Sequence, residues 1–265
     1  MSRDHTQEAY DEYYSTGIDP TGGDIGPDFD LETGDEQEID VPVPDAGIQE
    51  HDIQFQYDVD NSGHICLPSR ILFFDTETDG LPLDYCYSAH CAPDNWPHIV
   101  QLAWIVTDDE GNELSSGNRI IRPEGFIIPP EATAIHGISQ QRALAEGEPR
   151  QKVMKKFQRI LNNTYLNIAH NLWFDANVIA ADLIRCGMND DILFRSGFCT
   201  MEGTTELCRL PFATDVHPEA EYKWPKLTEL HEFLFGSSFS GAHDAMNDVR
   251  ATARCFWELI RRRAI

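Results

Sequence analysis

Four acids and one histidine, each beside an apolar run, are the residues of this chain best suited to chemistry. Asp75 and Glu77 lie in Ile71-Leu-Phe-Phe-Asp-Thr-Glu-Thr-Asp-Gly80, Asp175 in Ala169-His-Asn-Leu-Trp-Phe-Asp175, and His243 and Asp248 in His243-Asp-Ala-Met-Asn-Asp248. Carboxylates gathered from distant segments make a cage for hard divalent cations. That chemistry suits metal-assisted cleavage of a phosphodiester.

The elements around these residues must bring them together. Asp75 and Glu77 are two apart on a strand predicted over Arg70 to Thr76, so their side chains leave one face. Side by side at a buried strand end they repel unless a cation or proton lies between them; an exposed acidic strand end is the plainer alternative. Asp175 follows a strand, Tyr165 to Ala169, and opens a helix, Phe174 to Cys186, which Gly187 ends. It could equally cap that helix or complement its dipole. Asp248 lies one turn inside a last helix, Asp244 to Arg262, beside a core stripe of Ala245, Val249, Phe256 and Ile260, where an unpaired charge is costly. Asp244 is a candidate N-cap, and His243 enters the helix over the same place.

The remaining pattern supplies strands over Ile99 to Thr107 and Glu113 to Arg122, joined by a turn at Asp109-Glu-Gly-Asn112. A further strand is predicted over Phe198 to Met201. Short helical segments fall at Ala132 to His136 and after Ser139. Longer helices span Pro149 to Asn162 and Lys226 to Phe235, the latter burying Leu227, Leu230, Phe233 and Leu234. Leu81 to Pro97 reads as a long loop carrying Tyr85, Tyr87 and Trp96. A three-strand antiparallel meander followed by alternating helices and strands predicts an α/β fold with a mixed central sheet flanked by helices.

The chain's formal charge of −25 is uneven: residues 1–65 hold 18 Asp and Glu against Arg3 alone. Residues 1–64 read as an acidic, largely disordered tail, too poor in aliphatic residues to offset chain entropy, and residues 65–265 as the folded domain. Within the tail, Ile53, Phe55, Tyr57 and Val59 alternate like a short strand, and Asp60-Asn-Ser-Gly63 signals a turn. The acidic balance argues against broad, phosphate-driven nucleic-acid binding. Lys152, Lys155, Lys156 and Arg159, or Arg261-Arg-Arg263, could form a small basic patch, although a solvated helix face explains them too. Seven cysteines without a CxxC pair suggest a reduced protein, and Cys86, His90, Cys91 and His98 match no common zinc module. With no run able to span a membrane and no secretory signal, a cytoplasmic location is expected.

Taken in order, Phe74-Asp-Thr-Glu-Thr-Asp-Gly-Leu-Pro82, His170-Asn-Leu-Trp-Phe-Asp175 and His243-Asp-Ala-Met-Asn-Asp248 resemble the motifs of the DEDDh, DnaQ-like 3′–5′ exonucleases. That family includes proofreading subunits of bacterial replicative polymerases. Ala134-Ile-His-Gly-Ile-Ser139 and Pro225-Lys-Leu-Thr-Glu-Leu230 resemble two further segments of the family, and the similarity runs from about Arg70 to Ile260. The resemblance implies an RNase H-like fold and two Mg²⁺ or Mn²⁺ ions, with Asp75, Glu77, Asp175 and Asp248 as metal ligands and His243 as general base. It also implies Thr76, Thr78, Ile135 and His136 around the terminal nucleotide, the Thr76 N–H being available to its 3′-OH. The implied reaction releases nucleoside 5′-monophosphates from 3′ ends, with single-stranded or frayed DNA favoured. RNA 3′-end trimming and a non-catalytic interaction protein of the same fold are the rival readings. No polymerase segment lies in the chain, so any proofreading role in replication would require a partner, which the acidic tail could engage; repair and nucleic-acid turnover are the other roles open to the chain.

Overall fold

The computed structural model describes residues 58–59, 65–190, 193, 196–212 and 221–265. Most of the acidic tail, including Ile53, Phe55, Tyr57 and the turn at Asp60 to Gly63, lies outside them. Two short strands, β1 (Asp58–Val59) and β2 (Ile65–Cys66), pair antiparallel. The body is built on five more: β3 (Ile71–Thr78), β4 (Ile99–Thr107), β5 (Glu113–Ile120), β6 (Leu166–Ala169) and β7 (Gly197–Cys199). They form one sheet in the order β5-β4-β3-β6-β7. The β3–β4 and β4–β5 pairs are antiparallel, and the β3–β6 and β6–β7 pairs are parallel. This is the expected mixed sheet, with the meander on one side of β3 and the parallel strands on the other.

The helices follow in chain order: α1 (Pro130–His136), α2 (Gln140–Glu146), α3 (Arg150–Leu161), α4 (Leu172–Arg185), the short α5 (Thr205–Cys208), α6 (Leu227–Phe235) and α7 (Ala245–Arg262). Alternation along β3 divides the core in two. Leu72 and Phe74 face a layer that includes Phe157 of α3 and Ile179 of α4, whereas Ile71 and Phe73 face Val249 and Phe256 of α7. Asp75 and Glu77 continue the α7 side by the same two-residue period.

β4 is buried along its whole length, whereas β5 is mostly exposed at the sheet edge. Gly117 on β5 is required by its neighbour: a Cβ there would lie 2.1 Å from the Trp104 ring that crosses beneath it. Boundaries differ from the sequence expectation mainly at strand ends, β3 running on to Thr78 and β7 stopping at Cys199. One core assignment is corrected. Phe233 is 46% exposed, because α6 packs on α7 through Leu230 and Leu234 and turns the intervening position outward.

Candidate active site

Asp75 and Glu77 leave β3 on the side where α7 begins. Asp248, in the first turn of α7, meets them there: oxygens of the three carboxylates all lie within 4.8 Å of one another. Glu77 and Asp248 are buried. The backbone around Asp248 is tightly specified. Asp244 caps α7 by accepting from the Asn247 N–H at 3.2 Å. His243 adopts a left-handed conformation with φ of 66° and donates its N–H to Asp248 Oδ2 at 2.8 Å. Gly241, also at positive φ, closes the preceding turn, where the Asn247 side chain donates to its carbonyl at 3.1 Å. A non-glycine residue held at positive φ stores strain that the surrounding contacts must offset.

Asp175 reaches the same place from α4. Its Oδ1 accepts from both the Thr76 N–H, at 2.8 Å, and the Thr76 hydroxyl, at 2.7 Å. This corrects the expectation for Thr76: its N–H is committed to Asp175 and is not available to a nucleotide 3′-OH. It also sets aside the capping alternative for Asp175, since the carboxylate turns to β3.

Electrostatics shows how tense this arrangement is. Burial, followed by repulsion from neighbouring carboxylates, raises Asp75 and Glu77 well above the ordinary carboxylate range. Burial raises Asp175 to about 7 against the two hydrogen bonds from Thr76. Burial likewise raises Asp248 to about 7 against the His243 N–H. Clustered, desolvated carboxylates hold protons unless a cation replaces them. An all-oxygen donor set of this kind suits a hard divalent cation, and the fit is therefore good on both charge and chemistry.

The acids line a pocket of about 320 Å³ together with Thr76, His170 and His243. Phe174, Met201, Leu227, Phe239 and Ala242 supply the apolar part of its lining, with Lys226 and Thr228 beside them. His170 bridges two segments beneath it, with Nδ1 3.0 Å from the Thr200 hydroxyl and Nε2 2.9 Å from the Pro225 carbonyl. Burial pushes its pKa down to about 4, so it stands as a neutral strut.

The structure thus brings together Asp75, Thr76, Glu77, Asp175, His243 and Asp248. It does not bring Thr78, Ile135 or His136 into the pocket lining. The Thr78 hydroxyl donates to the Gly80 carbonyl at 2.7 Å. Ile135 is half-buried on α1. His136 is buried, its Nδ1 accepting from the Ile138 N–H at 3.1 Å, and burial lowers its pKa.

Sequence reasoning missed Gln101. It lies opposite Glu77 in the β3–β4 register, and its Oε1 accepts from the Ala245 N–H at 3.4 Å while its Nε2 donates to Asp244 at 3.4 Å. It ties the sheet to the start of α7. A polar residue in an otherwise apolar strand was the only signal. The zinc alternative dissolves: among the described residues, the only cluster of three or more potential metal ligands is Asp75, Glu77 and Asp248. His98 instead stacks on Phe126 at 4.4 Å, and Cys86 and Cys91 are free and exposed.

Comparison with known proteins follows the same residues. The RNase_T family model, described as an exonuclease, matches residues 72–256. Uncharacterized exonuclease CP81 of Escherichia phage 186 is 29% identical over 188 residues, which is 68% of this chain and 83% of that protein. The zinc-bound complex of E. coli exonuclease I with single-stranded DNA aligns at a TM-score of 0.57 and 23% identity, covering 75% of this chain and 42% of that one. E. coli exonuclease I in complex with a dT13 oligonucleotide aligns at 0.57 and 24%, covering 73% and 41%. At that identity the likeness speaks for a shared RNase H-like exonuclease fold, and this chain spans about two fifths of exonuclease I.

Proposed function

The chain belongs to the RNase_T exonuclease family, whose DnaQ-like members its motifs resemble, and on that premise we propose that it is a DEDDh-type 3′–5′ exonuclease releasing nucleoside 5′-monophosphates from single-stranded or frayed DNA. The observation that carries this reading is the convergence of Asp75, Glu77 and Asp248 beside His243 in one partly apolar pocket. The catalytic unit in this reading is residues 65–265.

Asp75, Glu77 and Asp248, supported by Asp175, would hold two Mg²⁺ or Mn²⁺ ions, which when bound acidify the attacking water and stabilise the leaving 3′ oxygen. His243 takes the proton from that water, a step suited to a neutral imidazole near pH 7. Thr76 fixes the Asp175 carboxylate from two donors, both on Oδ1. Phe239, Leu227 and Met201 offer the terminal base an apolar surface, the type of platform that unpaired bases favour. The preference for single-stranded DNA is supported by the E. coli exonuclease I complexes, which contain such strands.

The test is nucleotide release from matched single-stranded DNA, mismatched duplex DNA and RNA with added Mg²⁺ or Mn²⁺. Wild type should act fastest on single-stranded DNA and stop on chelation, and Asp75→Ala should release nothing above background. An unchanged rate in Asp75→Ala would sink the mechanism, and faster loss of RNA would move the substrate to RNA.

A further inference from the structure

A cluster of positive charge in the described body lies away from the acidic pocket. Arg119 of β5 and Lys152, Lys155, Lys156 and Arg159 of α3 line a groove of about 630 Å³ in which Glu148 is the one acid. Three of the chain's five lysines are here. The groove is on the back of the sheet: α3 packs Phe157 against Phe74 and Trp104, whereas Asp75 and Glu77 face α7. Three of its five cations are held in place. Lys156 and Arg119 lie 5.3 and 5.8 Å from the centre of the buried Trp104 ring. Arg119 and Lys152 both pair with Glu148, at 3.0 and 2.7 Å. Lys155 and Arg159 are exposed and have no acidic partner among the described residues. Like charges are gathered here at a cost that a bound polyanion would relieve.

We propose that this groove docks the chain's own acidic N-terminal segment, residues 1–57. That segment holds 16 Asp and Glu against Arg3 alone, so its charge is complementary to the groove. The chain that follows it joins the main sheet near one end of the groove. The Arg70 carbonyl, at the start of β3, accepts from the Tyr165 N–H at 3.1 Å, just beyond the end of α3 that carries Arg159. Tens of residues of chain reach α3 easily, at about 3.3 Å per residue, and tethering gives an effective concentration on the order of millimolar. A nucleic-acid strand has neither advantage, and one whose 3′ end occupies the acidic pocket starts on the other face of the sheet. The docked segment screens this back face from other polyanions. The inference is independent of which nucleic acid the enzyme degrades.

The test is zero-length carbodiimide cross-linking of the full chain, read by peptide mass spectrometry, with each lysine's yield normalised to its rate of acylation. Mixed light and heavy isotope chains separate links within one chain from links between chains. Links from acids of residues 1–57 should fall on Lys152, Lys155 and Lys156 several-fold more than on Lys223 and Lys226. They should fade towards about 1 M salt, where the screening length is about 3 Å. Arg119→Gln with Arg159→Gln keeps every amine and should lower the yield. An even spread over the five lysines, a yield indifferent to salt and to the arginine variant, or links only between chains would each overturn the proposal. So would the absence of tail links combined with protection of the three groove lysines by an oligonucleotide, which would give the groove to nucleic acid.

Discussion

At the scale of single residues, the acids were readable because D-x-E, D and H-x4-D occur together and in order at strand and helix ends, although each acid alone has a plainer use. Asp75, Glu77, Asp175, His243 and Asp248 line one pocket. Gln101 and Phe239 were not readable. Each is one ordinary residue whose role exists only once β4, α7 and the segment after α6 meet. The Thr76–Asp175 pair was likewise invisible, since nothing in either motif indicates that a backbone donor on one is consumed by the other. His243 gives the clearest residue-scale prediction. Its N–H orders Asp248 whatever side chain it carries, so His243→Gln should keep the backbone contact and remove only the proton acceptor. In a steady-state exonuclease assay kcat should fall roughly 10²–10⁴-fold, as for loss of a general base, with metal-induced thermal stabilisation retained. A variant that loses metal stabilisation along with activity would instead assign His243 a structural role.

At the scale of elements, the strands and helices follow from period and punctuation, and their ends shift by the few residues that tertiary pairing decides. The exposed Phe233 shows the limit: a helix of nine residues with five apolar positions does not reveal which of them its partner covers. The long loop before β4 shows another. Its aromatic residues suggested either nucleic-acid contact or anchoring. Trp96 is buried and packs against Phe174 and Tyr85, with centroids 6.1 and 6.0 Å apart, whereas Tyr87 is 55% exposed. The loop is fastened from α4. Arg185 donates to the carbonyls of Pro93, Trp96 and Pro97 at 2.6–3.1 Å and is itself held by Asp182 at 3.0 Å. Asp182 is fully buried and also meets Arg150 at 3.3 Å and the Ile99 N–H at 3.3 Å. One carboxylate therefore joins α3, α4 and the start of β4. Asp182→Ala leaves two guanidinium groups without their anion and should destabilise the domain by about 3–5 kcal/mol, measured by urea unfolding. A loss below about 1 kcal/mol, the scale of a surface ion pair, would show that the network is replaceable.

For the whole molecule, the net charge of −25 says little about the site, because the pocket carboxylates are desolvated and their protonation is coupled to folding. Asp175 and Asp248 stand at about 7 in the folded protein, against an ordinary 3.8. Between those values the folded state binds protons that the unfolded chain releases. The stability these two groups contribute is thus full below pH 3.8 and is lost as pH rises through about 7. His170, held down at about 4 against an ordinary 6.5, acts in the opposite sense: its share is full above 6.5 and is lost as pH falls towards 4. A single melting curve therefore mixes signs, and the comparison that isolates the acids is with Asp248→Asn, which keeps the shape of the protonated group. In chelator, wild type and variant should melt alike below pH 3.8, and the variant should become the more stable as pH rises from there, with the full gap reached above about 7. Added Mg²⁺ or Mn²⁺ replaces the missing protons, so it should stabilise wild type increasingly as pH rises and stabilise the variant little. Metal stabilisation equal in the two proteins, or unchanged with pH, would mean that the carboxylate cluster is not where the cation binds.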